Sequence, residues 1–159
     1  MSNETFQSRS GYFSGTIPQG WFSSPDTTVA PSLETWLLSD KLDAAIIVRE
    51  LHLDNLTKQR VIDEGLEYLA ELSKSFEPTD SATTYQHQVE FTLGQTKYFS
   101  YETFSDSVVK RIVVFSTNYH FFECEASPVN EEFDKEKQSH LFSIQQSILA
   151  SLTFSIGLP

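Results

Sequence analysis

Four short segments with alternating apolar and polar residues follow one another between residues 84 and 127, and this pattern constrains the fold most. Val89, Phe91 and Leu93 alternate with polar residues, as in a strand that has one buried face. Turn-forming pairs such as Gly94-Gln95 separate the segments. Further strands are predicted over residues 97–104, 109–116 and 119–126. Strands joined by such short turns are expected to pair antiparallel.

The N-terminal third predicts additional strands. Residues 1–10 are polar apart from Met1 and Phe6 and are expected to form a flexible arm, so that a single domain spans residues 11–159. Short runs of β-favouring residues, separated by turn signals, then predict an N-terminal meander. Its strands are expected over residues 12–17, 21–23, 34–38 and 44–53.

Two segments have helical rather than strand periodicity. Between residues 55 and 76, Ile62, Leu66, Leu69 and Leu72 fall at spacings of three and four, which predicts one long helix. Gly65 inside it is interpreted as a point of close approach to the sheet. A second long helix is predicted from about residue 130 to residue 152. The fold class is therefore α+β: a central twisted, mostly antiparallel β-sheet flanked by two long helices.

Charge limits the partners that the chain can have. The 159 residues include 22 acidic and 11 basic side chains, a net charge of −11. Such a surface repels phosphate backbones and anionic lipids, so nucleic acid and membrane-surface partners are not expected. A basic protein patch or a cationic ligand suits it better, and the same acidity also favours solubility alone.

Targeting and membrane signals are not found in the sequence as written. No apolar run is long enough to cross a bilayer, and residues 1–10 lack the apolar core of a signal peptide. No integral membrane segment is therefore expected, and the predicted location is cytoplasmic. If an export signal was removed from the N-terminus, the cell envelope is the alternative.

No motif predicts catalysis, a metal or a cofactor. The four histidines lie outside recognised metal or catalytic spacings, and no Gly-rich phosphate loop is present. Cys124 is the single cysteine and is predicted to point into the core as an inert apolar residue. Acidic residues near the start of the last helix, including Glu131 and Glu132, are interpreted as a solvated first turn. An enzyme whose site converges from His120, Glu123 and Tyr101 remains a minor alternative.

Aromatic residues are more numerous than one sheet face requires, with 13 Phe, 6 Tyr and 2 Trp. Some are therefore expected at a groove or interface. Glu123 and Glu125 alternate with core residues and are expected to decorate an acidic outer face of the sheet. The residues predicted to form a binding surface are Trp36, Tyr101, Tyr119, Phe121, Glu123 and Glu125.

Short sequence phrases at both ends of the chain carry a family resemblance. Residues 13–21 read as a strand followed by I-P-x-G-W, and residues 147–154 read S-I-L-A-S-L-T-F. Between them, the strand over residues 113–124 is followed by E-A-S-P. The order of elements resembles the superfamily that includes the photosystem II subunit PsbP, Ran-binding Mog-type factors and bacterial DcrB-type domains. The resemblance implies an α/β/α sandwich that serves as a binding or assembly module without catalytic residues.

These observations lead to one main functional hypothesis and one alternative. The main hypothesis is a noncatalytic accessory or chaperone-like module that binds another protein, with a homo-oligomer also compatible with such a surface. The alternative is a carrier of a small apolar ligand or lipid, held in a cavity between sheet and helix.

Overall fold

A seven-stranded antiparallel sheet forms the centre of the molecule. A computed structural model describes residues 4–24, 33–39, 41–76, 83–105, 107–129 and 134–155. The strands, in chain order, are β1 Glu4–Gln7, β2 Phe13–Ile17, β3 Phe22–Ser23, β4 Leu33–Ser39, β5 Ala44–Glu50, β6 Thr84–Leu93, β7 Thr96–Ser105, β8 Val108–Thr117, β9 His120–Pro128 and β10 Thr153–Phe154. The helices are α1 Asn55–Glu64, α2 Leu66–Phe76 and α3 Lys135–Ala150. The order of the central sheet is β3-β4-β5-β9-β8-β7-β6.

The four consecutive strands predicted from the sequence form four of the seven strands of this sheet. Strands β6 to β9 pair antiparallel with their chain neighbours, as predicted. The β8–β9 turn places Asn118 and Tyr119 at φ values of 50° and 63°, the pair of positive values that a tight hairpin turn requires. The α+β class and the antiparallel central sheet are thereby confirmed.

A second, three-stranded sheet has the order β1-β2-β10. Its presence corrects two predictions. Residues 4–7 are not part of a flexible arm, because they pair with β2 and bury Phe6 against Gly15, where a Cβ atom would lie 2.7 Å from the Phe6 ring. The N-terminal meander is also divided, since β2 belongs to the small sheet while β3, β4 and β5 belong to the large one.

Each face of the central sheet has its own core. On one face, α1 and α2 cover a cluster that includes Leu69, Ile112, Val114 and Phe121. On the other face, α3 and the small sheet cover a cluster that includes Phe115 and Phe122, together with Phe13, Val113 and Leu141. The centre of the sheet is therefore buried on both sides.

The first predicted long helix is two helices, and this corrects the prediction of two long flanking helices. The chain breaks at Gly65, where φ is 98° and ψ is −176°, a conformation that is nearly restricted to glycine. The prediction that Gly65 approaches the sheet closely is wrong, because a Cβ atom at this position would meet nothing within 4 Å. Gly65 is therefore needed for its backbone conformation and not for close packing against a neighbour.

The last helix is α3, for which Asp134 is the N-cap and accepts a hydrogen bond from the Lys137 amide at 2.8 Å. Residues Glu131 and Glu132, interpreted from the sequence as a solvated first turn, lie outside the described residues. As predicted, Cys124 points into the core, where Gln145 of α3 donates to its carbonyl oxygen at 3.0 Å. Burial raises the pKa of the Cys124 thiol to about 12.

A Gly65→Ala substitution tests whether the break between α1 and α2 is required. We expect it to lower the free energy of unfolding by about 1 to 3 kcal/mol, because alanine is strained at this backbone geometry. Urea unfolding followed by circular dichroism measures the change. Gly94→Ala is the comparison, since Gly94 has a φ of 61° in an open turn, in the left-handed helical region that costs alanine about 1 to 2 kcal/mol. Undiminished stability together with increased helicity in Gly65→Ala would show that the two helices can merge.

Candidate functional site

Five of the six predicted binding residues lie on one face of the central sheet, the face that α1 and α2 cover. Tyr101, Glu125 and Trp36 occupy a single cross-strand row, in which Ile112 and Ile47 are the residues between them. Glu123 and Phe121 follow Glu125 at alternate positions of β9 and so share this face. The sequence therefore identified residues that the fold brings together, although they are separated by up to 89 positions in the chain.

The expectation that this face is an acidic outer surface is wrong. Tyr101, Phe121, Glu123 and Glu125 are all buried, with exposed fractions of 5% or less. The two carboxylates lie within 3.4 Å and 3.7 Å of the Arg49 guanidinium on β5. The alternating pattern of β9 correctly separated its two faces, but a second layer of helices covers the face that was expected to be open.

A hydrogen-bonded chain of side chains connects α2 to the sheet through these residues. The Ser73 hydroxyl of α2 donates to the Glu123 carboxylate and lies 2.7 Å from the Tyr101 hydroxyl. The next residue of α2, Lys74, lies over the Tyr101 ring, 5.3 Å from its centroid, and donates to Gln88 of β6 at 2.8 Å. The position of α2 is therefore fixed by polar contacts as well as by apolar packing.

Burial dominates the electrostatics of this network. Loss of hydration raises the pKa of Glu123, although the hydrogen bond from Ser73 and the charge of Arg49 act in the opposite direction. The negative charge of Glu125 adds to the increase. Within this network, burial makes the charged form of the Glu123 carboxylate less favourable than it is in water.

The geometry separates the residues of the proposed enzyme alternative. Tyr101 and Glu123 are joined through Ser73, but His120 lies on the opposite face of β9. There its Nδ1 atom lies 2.8 Å from Glu50, and its ring stacks on Tyr12 at 4.0 Å. These three residues therefore do not form one catalytic group.

Tyr119 and Phe121 lie together at the end of this face, beside a groove of about 310 Å³. Their ring centroids are 5.9 Å apart, and Phe121 lines the groove while Tyr119 is 42% exposed. Val61, Ile62 and Leu66, which flank the break at Gly65, form the helical wall. The break between α1 and α2 thus shapes the groove.

The charge at this groove differs from that of the chain as a whole. Lys97 is the charged residue among its described lining residues. The Lys58 ammonium lies over the exposed Tyr119 ring, 5.1 Å from its centroid. A chain with a net charge of −11 therefore presents basic side chains at this position.

Trp36 lies at the opposite end of the cross-strand row from Tyr101. Its strand, β4, is two strands away from β9, which carries Phe121. Trp36 is half-buried on β4, and its Nε1–H has no acceptor in the part of the chain that the structure describes. Trp36 therefore belongs to the same face as the network but does not contribute to the groove.

Metal and membrane sites have no support in the described ranges. Within them, no group of three or more histidine, cysteine or acidic side chains is placed to hold a metal ion. No helix among these residues has the length and apolar character needed to cross a membrane.

Several residues of the site were missed by reasoning from sequence. Ser73 lies on the buried side of α2, and Arg49 lies near the end of β5, where a charged residue gives no signal of a buried partner. Ile62 was assigned to the buried helical face, yet it is 55% exposed because the helix breaks three residues later. Gly65 itself, a residue that disfavours a helix interior, is the signal that could have indicated this break.

A Ser73→Ala substitution tests the connection between α2 and the sheet. We expect it to lower the free energy of unfolding by about 1 to 3 kcal/mol, because it leaves buried polar groups of Tyr101 and Glu123 without this partner. Ser75→Ala is the matched control, since Ser75 is exposed on the same helix and a surface change should stay within about 0.5 kcal/mol. Equal effects of the two substitutions in chemical unfolding would contradict a structural role for the network.

A Glu123→Gln substitution tests the electrostatic assignment. Because the pKa of Glu123 is raised in the folded state, its contribution to stability is complete below the ordinary carboxyl pKa and is lost as the pH rises. Glutamine does not titrate, so the free energy of unfolding of the variant, relative to that of the parent, should increase as the pH rises from about 4 to about 7. Urea unfolding across this range measures the difference, and a difference that falls with pH would contradict the assignment.

Comparison with known proteins identifies the fold. No protein-family model and no curated protein sequence match this chain. The cyanobacterial PsbP protein CyanoP from Synechocystis sp. PCC 6803 has 10% sequence identity and a TM-score of 0.58, with 97% of this chain and 93% of that chain covered. LpqN of Mycobacterium tuberculosis, described as involved in cell envelope biogenesis, has 14% identity and a TM-score of 0.55, with 97% and 86% covered. The resemblance found in the sequence is confirmed at the level of the fold, which is PsbP-like.

Proposed function

We propose that this chain is a noncatalytic binding module that recognises a segment of another protein in the groove at the α1–α2 junction. The observation that carries the proposal is the composition of this groove. Phe121 and Val61 form an apolar interior, Ile62 remains 55% exposed at the rim, and Lys97 adds a charge. An apolar pocket with a polar rim is the arrangement typical of an interface hot spot.

The groove indicates the chemistry of its partner. Its volume of about 310 Å³ lies at the lower end of the range of ligand pockets, about 300 to 1,000 Å³, and suits one or two apolar side chains. Lys97 in the groove and Lys58 over Tyr119 favour a carboxylate beside that anchor. The proposed partner segment therefore combines a large apolar residue with a nearby Asp or Glu. This differs from the basic partner expected from net charge alone, because local charges determine complementarity at a contact.

The noncatalytic character also rests on the groove. Its described lining residues include hydroxyl, amide and ammonium groups but no histidine, carboxylate or thiol. Histidine and carboxylates are the commonest general acids and bases, and among the described lining residues Lys97 is the side chain that could take such a role. The PsbP-like fold, shared with CyanoP and LpqN, is compatible with this proposal.

The carrier alternative receives less support from the described residues. A carrier would need space between helix and sheet, and in this region side chains such as Leu69, Ala70, Ile112 and Val114 pack together. The groove lies where the α1–α2 junction meets the ends of β7, β8 and β9, and it opens to the surface. A lipid or other apolar molecule retained by the purified protein in native mass spectrometry would favour the carrier.

Selection from a random peptide library on the immobilised protein tests the proposal. We expect an enriched motif with one large apolar residue and an adjacent acidic residue, because each complements a described feature of the groove. Ile62→Asp and Lys97→Glu should each weaken binding of the selected peptide by about tenfold or more. Leu56→Asp is the matched control, because Leu56 is a more exposed apolar residue of the same helix that does not line the groove.

Selected peptides that bind Ile62→Asp as well as the parent, or that lack an apolar residue, would overturn the proposed site. Capture of partners from soluble and envelope extracts with the same three variants then identifies natural partners and their compartment. Retention that follows the peptide result, variant by variant, is the expected outcome.

A further inference from the structure

A second groove lies on the opposite face of the central sheet, near its β6 edge. Its volume is about 370 Å³, and its walls come from β6, β7, β8 and α3. It is separate from the α1–α2 junction, since the strands of the sheet lie between the two. The lining includes one cation, one carboxylate, a hydroxyl and apolar side chains, provided by Arg111, Glu102, Ser100, Val89 and Phe91.

Arg111 is held in a defined position in this groove. One terminal nitrogen of its guanidinium donates to Gln145 at 3.1 Å, and the other donates to Gln146 at 2.9 Å. The guanidinium also lies over the Phe91 ring, 5.5 Å from its centroid. Burial lowers the pKa of Arg111, so this cation has already lost part of its hydration.

Gln145 is the residue that fixes Arg111. Its side chain is fully buried, and its amide nitrogen donates to the backbone oxygen atoms of Arg111 and Cys124 at 3.1 Å and 3.0 Å. Its oxygen is thereby directed at the guanidinium. Hydrogen bonds to a buried, fixed side chain hold a charged group in the defined position that recognition requires.

Glu102 provides the opposite charge at the same level of the sheet. It is the cross-strand partner of Arg111, which places the two Cβ atoms about 5 Å apart. Their hydrogen-bond partners differ, because Arg111 donates to the glutamines of α3 while Glu102 accepts from Gln86 of β6 at 3.2 Å. The charge of Glu102 nevertheless acts on Arg111 and favours its charged form. In the part of the chain that the structure describes, neither residue forms an ion pair.

The apolar side of the groove adjoins this pair of charges. Val89 is 51% exposed, and Phe91 is half-buried beneath Arg111. An exposed valine beside a partly dehydrated cation would gain from contact with an apolar group. The groove therefore combines three recognition elements at short range.

The geometry points to a binding site for a zwitterion with an apolar side chain, of the chemical class of free amino acids. Arg111 would bind the carboxylate, Glu102 would bind the ammonium group, and Val89 with Phe91 would contact the side chain. A carboxylate and a guanidinium form a bidentate pair when the guanidinium retains free N–H groups. The volume of about 370 Å³ is sufficient for such a molecule and small compared with most ligand pockets.

Titration of the ¹⁵N-labelled protein with L-leucine tests this site by chemical-shift changes. We expect saturable shifts at amides of β6, β7 and β8 around the groove. N-acetyl-L-leucine lacks the ammonium group, L-leucinamide lacks the carboxylate, and glycine lacks the apolar side chain. Each analogue should bind about tenfold more weakly or worse, because each loses one of the three contacts. This series uses the unaltered chain, so its result does not depend on whether a variant folds.

Variants then assign the contacts. Glu102→Gln and Arg111→Gln should each weaken binding of L-leucine by about tenfold, whereas Arg60→Gln, in an exposed ion pair of α1, should leave it unchanged. The backbone spectrum of each variant verifies that α3 still packs on the sheet. No shift at millimolar L-leucine, shifts confined to other parts of the molecule, or equal binding of N-acetyl-L-leucine would each overturn the inference.

Discussion

Strand β9 lies at the centre of the large sheet, and helices cover it on both sides. Its Phe122 and Cys124 pack toward α3, while Phe121 and Glu123 pack toward α2. Every side chain from Phe121 to Ala126 is therefore removed from water. Two of them are carboxylates, and their burial requires nearby donors because an unpaired buried charge is strongly destabilising. Arg49 and Ser73 supply these donors, and the relative position of β5, β9 and α2 follows from that requirement.

The parts of the fold that were predictable from sequence are those that short-range pattern determines. The hairpins from β6 to β9, the inward orientation of Cys124 and the antiparallel sheet all follow from alternation and turn residues. Alternation assigns Glu123 and Glu125 to one face, but it does not reveal what covers that face. The prediction of an open acidic surface failed for this reason. Contacts such as Ser73 with Glu123 join residues 50 positions apart and leave no local signal.

The helix break illustrates a different limit. The apolar spacing of Ile62, Leu66 and Leu69 continues through Gly65, so periodicity alone favours one helix. The backbone angle at Gly65 is a single-residue property that overrides this pattern locally. The consequence reaches the candidate site, because Ile62 becomes a rim residue rather than a core residue. Strand β2 is a similar case, since its sequence predicts a strand but does not indicate which of two sheets it joins.

The two grooves use the same sheet in different ways. At the α1–α2 junction an apolar pocket with basic neighbours lies beside the break between the two helices. Near β6, two opposite charges on neighbouring strands are each hydrogen-bonded to glutamines of other elements. Catalysis needs groups whose proton affinity is tuned within reach of a substrate, and the carboxylate with a raised pKa, Glu123, is enclosed beneath α2 instead.

Cys124 gives this architecture a chemical property of its own. It is the single thiol of the chain, it is fully buried, and the rise of its pKa to about 12 keeps it protonated at neutral pH. Alkylating reagents react with thiolates, so modification requires the sheet and α3 to separate first. The rate at which the thiol is labelled therefore reports the opening of the centre of the molecule, without any engineered probe. The same enclosure protects this thiol against oxidation for as long as the chain stays folded.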